Sequence, residues 1–118
     1  MTKKIFYLST CVTCQKVLKA LEPLEGIVLQ DVKESPITAS QLEELKKIVG
    51  SYAALFSKRA RLYTQQNLKE KTLSENDYKD LILGHYTFLK RPIIVVADAI
   101  FIGNSQKEVT KAKEALHR

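Results

Sequence analysis

The chain has no tryptophan, one methionine, two cysteines, two histidines, four glycines and three prolines among 118 residues. So few glycines and prolines exclude a collagenous or low-complexity chain, and a hydrophobic fraction of 45% argues against disorder. The longest apolar run, Pro92 to Ala97, is far short of the ~20 residues that span a bilayer. Met1-Thr2-Lys3-Lys4 runs straight into a short strand-like segment, without the apolar stretch and small-residue cleavage site of a signal peptide. We therefore expect a cytoplasmic protein with no membrane partner. In that compartment a structural disulfide is unexpected, so two cysteines read as catalytic, redox-sensing or metal-binding.

What is present in excess is positive charge. Nineteen lysines and arginines against thirteen acids give a net charge of +6. That favours anionic partners, such as acidic protein surfaces or oxyanions, although a solvated basic surface explains it as well. No arginine-rich run or aromatic ladder marks sequence-specific nucleic-acid binding.

The length suits one domain, residues 1–118. Lys4 to Leu8 is β-prone, and Ser9 or Thr10 is placed to cap a helix opening around Cys11. Val12, Val17, Leu18 and Leu21 form its apolar stripe, and Pro23 ends it at or just before Glu22. Ile27 to Val32 reads as a second strand. Thr38 and Gln41 form a capping box for a helix with Leu42, Leu45, Ile48 and Val49 on its buried side and Gly50 as its stop. Residues 51–72 are less regular and carry the basic cluster Lys58-Arg59-Ala60-Arg61. Ser74 caps a further helix that runs through Tyr78, Leu81 and Ile82 to Gly84. Ile93 to Val96 and Ile100 to Ile102 form a hairpin around an Asp98-Ala99 turn. Gly103-Asn104-Ser105 caps the last helix, with Val109, Ala112 and Leu116 inward. Tyr7, Tyr78, Phe88 and Phe101 read as core or half-buried aromatics, and His85 as a helix-end residue.

The order β-α-β, helices, β-β-α predicts an α/β thioredoxin-like fold, with a mixed four-stranded sheet and a helical insertion at about residues 38–88. The opening β-α-β implies parallel strands joined by a right-handed crossover.

A C-x-x-C after a strand, at a helix N-terminus, is the thioredoxin-like redox arrangement. There a cysteine faces unpaired backbone N–H groups and the positive end of the helix dipole, and both favour thiolate. A cysteine of pKa near 8.5 is about 3% thiolate at pH 7, and half ionisation requires roughly 2 kcal/mol of stabilisation. The helix end supplies about 0.3–1 kcal/mol, so a cation is needed for the remainder, and Arg59 and Arg91 are the candidates. Cys11, the more exposed, is assigned as nucleophile. Cys14, one turn in, resolves a mixed disulfide or sulfenic acid. Two alternatives stand beside this: both cysteines as small core residues, or a zinc site that would have to draw on His85 and His117, whose spacing to the cysteines is not ligand-like.

Cys11-Val12-Thr13-Cys14, with Arg91-Pro92-Ile93-Ile94 some 80 residues later, resembles the arsenate reductase (ArsC)/Spx family over essentially the whole chain. The resemblance implies a cis peptide at Pro92, Arg91 beside the anionic group at Cys11, and Arg59 near the redox centre. It implies no bound cofactor and a thiol reductant: glutathione with glutaredoxin, or thioredoxin. The partner would be a disulfide-containing protein or, for an Spx-like redox-sensing regulator, RNA polymerase. Gly50-Ser51 then reads as a helix stop or an interaction point. Two departures weigh against arsenate reduction. Glutaredoxin-coupled members lack a cysteine at the position of Cys14, and they use a third arginine where this chain has Ile102-Gly103-Asn104-Ser105. One missing charge-assisted contact costs about 1.5–3 kcal/mol of oxyanion binding.

Overall fold

The computed structural model describes residues 2–118. They fall into two compact units, residues 2–35 with 91–118, and residues 36–90.

The first unit is built on four strands, β1 (Lys3–Tyr7), β2 (Val28–Asp31), β3 (Ile93–Val96) and β4 (Ala99–Ile102), in spatial order β2-β1-β3-β4. β1 and β2 are parallel, with Tyr7 opposite Asp31, while β1–β3 and β3–β4 are antiparallel. This is the mixed sheet of the thioredoxin-like fold that the element order implied. Helices α1 (Val12–Ala20) and α5 (Gln106–Leu116) complete the unit. Ile5, Ile94 and Val96 of the sheet pack with Val17 and Leu21 of the first crossover and with Ala112 and Leu116 of α5. Lys3 Nζ donates to the Leu116 carbonyl at 2.6 Å, tying the first strand to the end of the last helix.

The second unit holds α2 (Ala39–Val49), α3 (Arg61–Gln65) and α4 (Glu75–Gly84), with 3-10 turns at Ala53–Leu55, Leu68–Glu70 and Tyr86–Phe88. Its interior is aromatic. Phe56 stacks on Phe88 at 5.3 Å between ring centroids and meets Tyr78 at 4.8 Å and Tyr63 at 5.9 Å. Such pairs add about 0.5–1.5 kcal/mol beyond their buried area. The Thr38–Gln41 capping box and the left-handed Gly50 stop both form, Gly50 at φ 98°. Ser74 is likewise an N-cap, in a capping box closed by Asp77.

Several local expectations shift. The cap of α1 is Cys11 itself, not Ser9 or Thr10, because Cys11 N–H closes a turn on the Leu8 carbonyl at 3.0 Å and those two residues lie inside it. Val12 stands 63% exposed rather than in the apolar stripe, since the first helical residue sits beyond the packed face. The helix ends at Ala20, two residues earlier than Pro23 suggests. Ile48 lies on the outside of α2. The hairpin turn is Ala97-Asp98, one residue earlier, because Val96 pairs with Ala99. Ala97 therefore takes φ 56°, in the left-handed region that costs a side chain about 1–2 kcal/mol. Replacing it with glycine, which adopts that φ freely but loses more chain entropy, is expected to stabilise the fold by about 0.5–1 kcal/mol in thermal unfolding.

Candidate redox site

The loop between β1 and α1 delivers both thiols. Cys11 has extended backbone at φ −95° and ψ 115°, as an N-cap does, so its side chain stands at the mouth of the helix. Cys14, one turn later on the inward side, is fully buried, whereas Cys11 is half-buried. The two are free thiols.

Their acidities are pushed apart. Partial burial opposes the anion at Cys11, but the Cys14 amide, the Cys14 thiol, the Thr13 amide and the Arg91 charge together outweigh it and lower the pKa. These two amides belong to the second and third helical residues, the donors that a helix leaves unpaired at its start. Cys14 goes the other way. Burial pushes its thiol up to about 11, and the neighbouring Cys11 adds to the rise, against weaker opposition from the Leu8 amide and Arg91. One thiol is thus made more acidic than an ordinary cysteine and the other less so.

Arg91 is half-buried and precedes Pro92, which is buried and follows a cis peptide bond, as the resemblance implied. The Pro92 carbonyl accepts the Gly103 N–H at 2.9 Å, joining this turn to the start of α5. A second cis peptide, Glu22–Pro23, went unanticipated. Cys11, Cys14, Arg91 and Pro92 thus belong to one unit, and the Arg91 charge acts on both sulfurs. Arg59 belongs to the helical unit, exposed in the turn before α3, with Lys58 and Arg61 also exposed. Among the described residues, no group of three or more His, Cys, Asp or Glu side chains could hold a metal ion, and no helix is long and apolar enough to cross a membrane.

Sequence reasoning missed Asp31. Its Oδ1 accepts the Ser9 N–H and the Lys33 N–H, both at 3.2 Å, and Gln15 Nε2 donates to the Ser9 carbonyl at 2.7 Å. Ser9 is therefore held from two sides, two residues before the nucleophile. The Ser9 hydroxyl, and then the Ser9 and Lys33 amides, overcome partial desolvation and hold the Asp31 carboxyl below its usual range. A carboxyl with a depressed folded-state pKa stabilises above its ordinary value and loses that contribution as pH falls through the folded one. The signal was faint: an acidic residue at the carboxyl end of a strand paired with β1, where loops of an α/β sheet gather. Asp31→Ala is expected to cost about 1 kcal/mol of stability and to slow Cys11 alkylation, with Asp31→Asn retaining most of both because its carbonyl still accepts. Chemical denaturation and iodoacetamide kinetics measure the two effects.

A parallel β-α-β opening, a dithiol at the helix start and a cis-proline turn define a thioredoxin-like dithiol protein. The ArsC family model matches residues 6–112, and the chain belongs to that family. It is 30% identical over 115 residues to YfgD of Escherichia coli, covering 92% of this chain and 96% of that one. It is 23% identical over 109 residues to the global transcriptional regulator Spx 2 of Bacillus cereus, covering 91% and 83%. Among solved structures it superposes on an arsenate reductase from Vibrio cholerae with a TM-score of 0.75 at 24% identity, covering 95% and 98%.

Proposed function

We propose that the chain is a thiol–disulfide oxidoreductase that cycles between a Cys11–Cys14 dithiol and its disulfide. The observation that carries this reading is the opposed acidity of two thiols three residues apart, one lowered at the helix mouth and one raised in the interior. Cys11 thiolate attacks a substrate disulfide, and the displaced sulfur leaves as a thiolate that takes up a proton. Consumption of Cys11 in the mixed disulfide removes its contribution to the raised pKa of Cys14, leaving burial opposed by the Leu8 amide and Arg91. Cys14 then loses its proton more readily, attacks the Cys11 sulfur and releases the second product thiol. An external thiol, glutathione with glutaredoxin or thioredoxin, returns the pair to the dithiol. Arg91 stabilises the anion. Arsenate is a weaker candidate, because Ile102 to Ser105 offers no cation.

Alkylation with mass spectrometry across a redox titration tests this. A reversible 11–14 disulfide and faster alkylation of Cys11 near neutral pH are expected. Equal, slow alkylation of both thiols would reject the activated nucleophile.

The likeness to transcriptional regulators named Spx, at 23–24% identity, favours a second reading: a redox-sensing regulator in which the same disulfide is a switch. Docking on RNA polymerase would suit the +6 charge, which sets encounter rate and selectivity. Failure of both reduced and oxidised protein to retain polymerase in a pull-down would count against it.

A further inference from the structure

Between α1 and α5 runs an open groove of about 1140 Å³ that the redox chemistry above does not use. Val17 and Val109 give it an apolar floor. Lys16, Lys113 and Arg118 line it against a single carboxylate, Glu114, and both lysines are exposed. Its walls are firm: α1 and α5 share the core described above, and His117 Nε2 donates to the Leu21 carbonyl at 2.7 Å where the two helices end. Thr13, inside the Cys-x-x-Cys motif, and Asn104, before α5, are among its lining residues, and Thr13 is two residues from Cys11.

We propose that this groove docks an acidic, extended peptide segment whose disulfide is the one Cys11 opens. The proposal rests on the oxidoreductase reading and adds the class of substrate. Charge complementarity carries the acidic part: three basic side chains and one acidic side chain line a groove that includes Thr13 of the thiol motif. The apolar floor carries the peptide part, since Val17 and Val109 suit an aliphatic side chain and offer nothing to a phosphate backbone. In the step itself a Cys11–substrate S–S bond forms as the substrate's own S–S bond breaks. Attack by Cys14 then frees the second sulfur, so two electrons pass from the dithiol to the peptide, whose sulfurs each gain a proton. An external thiol restores the dithiol.

The test compares three substrates at low and high salt: an acidic peptide disulfide, a basic one of equal length, and 2-hydroxyethyl disulfide. The wild-type protein is expected to show kcat/KM about tenfold higher for the acidic than for the basic peptide, with the gap closing as salt screens the groove. Lys113→Glu should lower the ratio of acidic-peptide to 2-hydroxyethyl disulfide turnover at least fivefold. Lys111→Glu, the same charge change on α5 but outside the groove, should leave that ratio within twofold. Reduction of 2-hydroxyethyl disulfide with no preference between the peptides overturns the groove and spares the oxidoreductase reading. Reduction of none of the three overturns both. Lys113-dependent binding of a single-stranded oligonucleotide, without acidic-peptide preference, would make the occupant a nucleic acid and end the proposal.

Discussion

Cys11→Ser is expected to abolish reduction of a small disulfide, a loss of about three orders of magnitude or more, because the remaining thiol, Cys14, is buried and its pKa is pushed up to about 11. A hydroxyl at that position is far too weak an acid to replace the thiolate, whatever the helix amides contribute. Cys14→Ser should behave differently. The first attack proceeds, since Cys11 keeps the Thr13 amide, the amide of residue 14 and the Arg91 charge. Resolution fails, so the enzyme–substrate mixed disulfide accumulates as a mass adduct on Cys11. The Cys14 thiol is one of the groups that lower the Cys11 pKa, and its replacement tests that contribution too. A hydroxyl in its place still donates, so the alkylation profile of Cys11 should move by less than in Cys14→Ala. Intact-protein mass spectrometry after a single turnover reads both variants. An adduct that appears on Cys14 in Cys11→Ser at the wild-type rate would reverse the assigned roles.

How much of this was readable in the sequence depends on the range of the interaction that decides each feature. Thr38 with Gln41, and Ser74 at the start of α4, are caps whose partners lie three residues away, so the pattern contains them. The order of elements along the chain and the parallel opening followed from short apolar runs and the crossover rule. At Cys11 the local rule misled, because serine and threonine are the usual caps and both stand just upstream. The turn that Cys11 closes on Leu8 takes those two positions out of reach of the helix start. Ala97 carried no mark at all, since a left-handed turn residue is normally announced by glycine or asparagine. The clasp of Asp31 on Ser9 spans 22 residues and the groove joins two ends of the chain. Interactions of that range follow from register and packing, which no window of the sequence displays. The thiol motif was legible because chemistry restricts the residue types that can do its work, and Arg91 beside it because the family resemblance pointed there.

The raised pKa of Cys14 makes a second large effect measurable, in stability rather than turnover. Its ordinary value is 9.0, and burial lifts it to about 11 in the folded state. Between those two pH values the unfolded chain has released the proton and the folded chain still holds it. The native state then binds more protons, so stability falls as pH rises, by about 1.4 kcal/mol per pH unit and about 2–3 kcal/mol over the interval. Below pH 9 this cysteine contributes no pH dependence. A Cys14→Ala variant isolates this contribution, since it retains every other ionisable side chain. With the thiols kept reduced by a phosphine, wild-type denaturation midpoints should drop more steeply than the variant's from pH 9 to 11. Cys11 contributes with the opposite sign, because a lowered folded-state pKa stabilises above its ordinary value and that gain fades as pH falls through the folded one. Stability contributed by the pair is thus lost as pH rises above 9, through Cys14, and as pH falls below 9, through Cys11. Parallel curves for wild type and Cys14→Ala up to pH 11 would mean that the inner thiol ionises as freely as in an unfolded chain, and the division of labour between the two sulfurs would fall with it.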